Sequence, residues 1–79
     1  MDLGTFTEKL APEEKERFCR LAGTNRAYLS QLVHGHRMAS PKKARALVRA
    51  SQRMFPSDRS AWLTLSGVRP DLWEKAAAA

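Results

Sequence analysis

Residues 23–37 read GTNRAYLSQLVHGHR, and the folding of this stretch decides the architecture of the chain. A glycine stands near each end, at Gly23 and Gly35, with no acidic residue between. Asn25 is a good N-cap, because its side-chain oxygen can accept a backbone N–H of the first turn. Leu29, Leu32 and Val33 recur at i, i+3 and i+4, the apolar stripe of a helix. The expected element is a helix over residues 25–34, stopped by Gly35.

The preceding segment is marked just as plainly. Pro12 sits where proline favours a first helical turn, and Glu13, Glu14 and Glu16 suit the positive end of a helix dipole. Phe18, Leu21 and Ala22 continue an apolar stripe up to Gly23. Two helices joined by so few residues must cross steeply, which is the helix-turn-helix arrangement. Cys19 then faces the second helix, Gly23 bends the backbone, and Leu29 seals the pair.

Further outward, Leu3, Phe6 and Leu10 define a short first helix over residues 3–10. Ser40 and Pro41 are an N-cap and N1 pair for a fourth helix reaching about residue 53, with Ala44, Leu47, Val48 and Ser51 inward. Pro56 breaks the chain. Ser57 is expected to cap a fifth helix carrying Trp62, Leu63 and Leu65 and ending at Gly67, rather than a strand. Val68, Leu72 and Trp73 are expected to fold back on the core, with Trp62 and Trp73 in the core or a dimer interface. The expectation is all-α: a compact five-helix domain over residues 1–75, with 76–79 a frayed tail.

Charge narrows the function. The net charge is +6 over 79 residues. Residues 1–19 hold five acids and three bases, residues 54–79 three of each, and residues 20–53 eight bases and no acid. The excess lies in one block, and a basic face attracts a polyanion, most often nucleic acid. If Leu29, Leu32 and Val33 point inward, the outer stripe is Ala27, Ser30, Gln31 and His34, with Arg26 in the first turn. Surface helices usually carry Glu and Lys pairs there. Arg matches guanine O6 and N7, Gln matches adenine, and Ser is permissive. His34, His36 and Arg37 flank the helix, and Ser40, Lys42 and Lys43 open the next, where backbone N–H groups and cations can meet phosphate. Tyr28 can do so from the side of the helix, or pack on Leu32.

LAGTNRAYLSQLVHGHR followed by SPKKARALVRAS resembles the Cro/repressor-type helix-turn-helix of phage and prophage regulators. The segment ending VRPDLW is similar to the YdaS-like branch, whose members are Cro-like regulators sometimes described as antitoxins. The resemblance covers residues 12–73. It implies base reading by Arg26, Ala27, Ser30 and Gln31, and backbone contacts from Asn25, the loop from His34 to Arg37 and the start of the fourth helix. Lys15, among Glu13, Glu14 and Glu16, stands where the family often carries an uncharged polar residue touching phosphate. Those acids repel a phosphate if they face it. Ala27 replaces an expected polar reader and leaves an apolar contact, for example with a thymine methyl.

The function expected is a sequence-specific transcriptional regulator, a Cro-like repressor of double-stranded DNA. It would bind a palindromic operator as a homodimer, with half-sites about one helical turn apart. The alternative is an antitoxin or adaptor module whose helix pair grips a protein. No catalytic set stands out, and no cofactor or metal is expected. His34 and His36 fall short of the three or four ligands a metal needs, and Cys19 is expected to be a small core residue. MDLGTFTEKL has neither the basic nor the apolar region of a signal peptide, and no apolar run approaches a membrane span. With one cysteine and no disulfide, a cytoplasmic protein is expected.

Overall fold

The computed structural model describes residues 1–71. These form α1 (Leu3–Glu8), α2 (Pro12–Ala22), α3 (Arg26–Val33), α4 (Pro41–Met54), a 3-10 turn (Arg59–Ala61) and α5 (Leu65–Val68), with no strand among the described residues. Each helix starts where a local signal places it. The carboxylate of Asp2 accepts the Thr5 N–H at 2.7 Å, and that bond holds its pKa below the ordinary carboxylate value. Pro12 and Pro41 occupy the first turns of α2 and α4. Asn25 Oδ1 accepts the Tyr28 N–H at 2.8 Å to open α3.

The turn between α2 and α3 is a Schellman motif built on Gly23, which has φ 72°. Gly23 N–H donates to Arg20 O at 3.2 Å and Thr24 N–H to Cys19 O at 2.8 Å, satisfying carbonyls the helix leaves open. A side chain at that positive φ would be strained. The same pair of bonds closes α3, from Gly35 N–H to Leu32 O and His36 N–H to Gln31 O.

The core draws on every layer. α2 packs chiefly on α4, and α3 contacts α2 and α1. Phe6, Phe18, Leu47 and Ser51 are the largest fully buried side chains. Phe6 packs on Phe18 at a tilt of 55° with ring centroids 4.9 Å apart and meets Phe55 edge-on at 6.1 Å. Leu29 is buried as expected, while Leu32, Val33 and Val48 are half-buried against the core. Ala50 joins Ala44, Leu47 and Ser51 on the buried face of α4.

Cys19 is buried. Burial pushes its thiol pKa up, and Glu16 acts in the same direction. The thiolate is the reactive species, so a thiol reagent near neutral pH should label native protein slowly and denatured protein fast. Rapid native labelling would contradict this packing.

The segment after α4 departs from expectation. Ser57 does not open a fifth helix through Trp62. Asp58 caps a single 3-10 turn instead, its carboxylate accepting the Ser60 N–H at 3.2 Å. Trp62 and Thr64 then take extended backbone, and Thr64 caps the one-turn α5. The physical reason is a set of long-range bonds that hold the extended piece. Leu63 N–H donates to the buried Ser51 Oγ at 3.0 Å, and the Met1 backbone brackets Leu63 by bonds to Trp62 O and from Thr64 N–H. The Trp62 indole N–H reaches Phe55 O at 2.7 Å, and the ring is half-buried.

Gly67 lies inside α5 and does not end it. A Cβ there would collide with the Met1 carbonyl and come within 2.9 Å of Asp2 Cα. Backbone cannot swing aside as a side chain can, so Gly67→Ala should cost at least about 1 kcal/mol by overpacking. Thermal melting reads this directly, and an unchanged midpoint would mean the N-terminal segment does not seat on α5. Val68 packs against the core. Leu72, Trp73 and the tail at 76–79 lie outside the described residues. No helix among the described residues is long and apolar enough to cross a membrane.

Candidate nucleic-acid interface

α3 presents its two faces as the periodicity implies. Leu29 is 2% exposed, whereas Arg26, Ala27, Ser30, Gln31 and His34 are all exposed. These five share one surface because 3.6 residues per turn brings i, i+4 and i+8 into register. The stripe borders a cleft of about 530 Å³ between α3 and the first two helices, whose lining includes Leu29, Val33, Glu8 and Lys15.

Arg26 is not a bare cation. Its guanidinium lies 3.5 Å from Glu16 Oε1 on α2, with side chains 45% and 61% exposed. An exposed pair at that distance is worth about 0–1 kcal/mol, so a stronger partner can draw Arg26 away. Glu14 is also engaged, its carboxylate accepting the Ala11 N–H at 2.7 Å. Helical periodicity could not reveal the Glu16–Arg26 pair, because it spans ten residues and a turn.

His34 Nδ1 lies 2.9 Å from the Ser30 carbonyl oxygen. The Ser30 hydroxyl lies 3.3 Å from the same nitrogen, so the ring is held against the preceding turn of α3. The His34 and His36 rings are 6.4 Å apart. Among the described residues no group of three or more His, Cys, Asp or Glu could hold a metal.

The flanking residues fall into two sets. Asn25, His36, Arg37, Ser40 and Lys42 are exposed. Asn25 and Ser40 each spend an oxygen on capping, at 2.8 and 3.1 Å, and keep donors for another partner: the amide N–H groups of Asn25 and the hydroxyl of Ser40. Lys43 and Tyr28 form the second set, half-buried near the turn between α2 and α3. Lys43 Nζ donates to Gly23 O at 3.0 Å and Ala22 O at 3.4 Å, tying α4 to the negative end of α2. The Tyr28 ring meets two cations, with Arg37 Cζ 5.2 Å and Lys43 Nζ 5.9 Å from its centroid. Lys43 therefore has a structural task beside any phosphate contact. Lys43→Ala should lower stability by about 1 kcal/mol, read as a lower melting midpoint. An unchanged melt would leave the clamp without energetic weight.

Arg69 supplies an anchor that the sequence did not signal. It donates to Ala39 O at 2.6 Å and forms a two-pronged pair with Asp71, which holds the guanidinium more firmly protonated. The bond fixes the loop that leads from α3 to Ser40.

Compared with known protein families, curated proteins and solved structures, the chain matches none.

Proposed function

We propose that this protein is a sequence-specific double-stranded DNA-binding regulator of the Cro/repressor type, with α3 lying in the major groove. One observation carries the reading: a helix sealed on its inner face by Leu29 and exposing Arg26, Ala27, Ser30, Gln31 and His34 on its outer face. Around it, residues 20–53 contain no acid. Arg26, Ser30 and Gln31 carry the donors and acceptors that base edges require, and Ala27 fits a thymine methyl. Asn25, His36, Arg37, Ser40 and Lys42 flank the stripe where phosphates of the same groove would lie.

The regulator acts by occupying an operator, as a two-fold dimer on a palindrome with half-sites about one helical turn apart. The test is selection of bound sequences from a random duplex library. Enrichment of a palindrome is the expected result. Equal retention of all sequences would reduce the protein to a non-specific binder. Failure to retain any duplex at physiological salt would move the helix pair to a protein-gripping role.

A further inference from the structure

We infer that the outer face of α4 is a second polyanion-binding surface, taking the sugar–phosphate backbone of duplex DNA without regard to sequence. Lys42, Arg49 and Arg53 are exposed, and Arg45 lies on the same stripe. At 3.6 residues per turn the four fall within roughly 80° of arc, opposite the buried face of Ala44, Leu47, Ala50 and Ser51. They extend over about 16 Å of helix, a length that passes about five phosphates of one strand at 3.4 Å each. Among the described residues, Lys42, Arg49 and Arg53 have no carboxylate partner.

The chemistry selects phosphate over an acidic protein. Protein interfaces are anchored by aromatic and apolar side chains in desolvated pockets. The stripe is flanked on α4 by the exposed Pro41 and the half-buried Ala46 and Gln52, so no large apolar side chain interrupts it. Arginine's planar fork also suits phosphate oxygens. α4 packs chiefly on α2, and Arg49 and Arg53 belong to none of the contacts assigned to α3. The assignment stands without the reading of α3.

The experiment titrates a short labelled duplex of arbitrary sequence, following anisotropy as salt rises from about 50 to 200 mM. Arg49→Gln with Arg53→Gln should flatten the log–log salt slope by about 1.8, since each lost phosphate contact removes about 0.9. Arg49→Lys with Arg53→Lys should keep the slope. If the double Gln variant melts below the assay temperature, Arg49→Gln alone is read, with half the change. An unchanged slope in a folded Gln variant overturns the inference, as does failure of wild-type protein to bind this duplex at low salt. Competition by polyglutamate equal to that of duplex, charge for charge, also overturns it. Library selection reports on α3 separately. Loss of enrichment with a flattened slope removes the α3 reading and keeps this one, and an enriched site with an unchanged slope does the reverse.

Discussion

Phe18→Ala is expected to cost about 3–5 kcal/mol and to leave much of the population unfolded near physiological temperature. A chain of 79 residues holds net stability of only roughly 0.05–0.15 kcal/mol per residue, which is roughly 4–12 kcal/mol in all. Small domains bury a smaller share of their surface than large ones, so the loss of one ring weighs heavily. Phe18 is fully buried and its ring packs on Phe6, which in turn meets Phe55. Removing it opens a void where α1, α2 and the end of α4 converge, and backbone held by three elements cannot easily collapse into that space. Phe18→Leu keeps most of the volume and should cost less. Urea unfolding followed by circular dichroism measures both. A loss below about 1 kcal/mol for Phe18→Ala would show that the aromatic trio is not the centre of the core.

The elements that were legible are those fixed by neighbours in sequence. Pro12, Gly23, Asn25, Gly35 and Ser40 each act within a few residues. Their caps and turns follow from side-chain oxygens, a fixed φ or a missing Cβ. The segment from Ser57 onward was misread because distant groups determine it. Trp62 and Thr64 are extended where Ser51 and the Met1 backbone bind the chain around Leu63, and these bonds span at least twelve residues. Gly67 looked like a helix stop, yet its lack of a Cβ serves a close approach of backbone. The same division runs through the candidate interface. The exposure of Arg26, Ala27, Ser30, Gln31 and His34 follows from periodicity alone. The engagement of Arg26 by Glu16, and of Lys43 by the end of α2, arises only when α2, α3 and α4 meet.

Arg26→Ala is expected to weaken binding to the selected duplex by about 1–3 kcal/mol and to relax preference at one base pair. Arg26 sits in the first turn of α3, from which a long side chain reaches furthest into a groove. Its bond to Glu16 adds a second, opposite expectation. To contact a base, the guanidinium must leave Glu16, and an exposed pair of this kind holds it by about 0–1 kcal/mol. Glu16→Gln should therefore strengthen binding by up to about fivefold, with the same base preference. Removing a negative charge beside the backbone would help binding too, and a double-mutant cycle separates the two causes. If Glu16 restrains Arg26, the gain from Glu16→Gln shrinks when Arg26 is already Ala. If Glu16 only repels phosphate, the gain is the same in both backgrounds and falls away at high salt. An Arg26→Ala variant with affinity and preference both intact would remove α3 from the groove, because no other residue of the stripe offers guanine a bidentate partner.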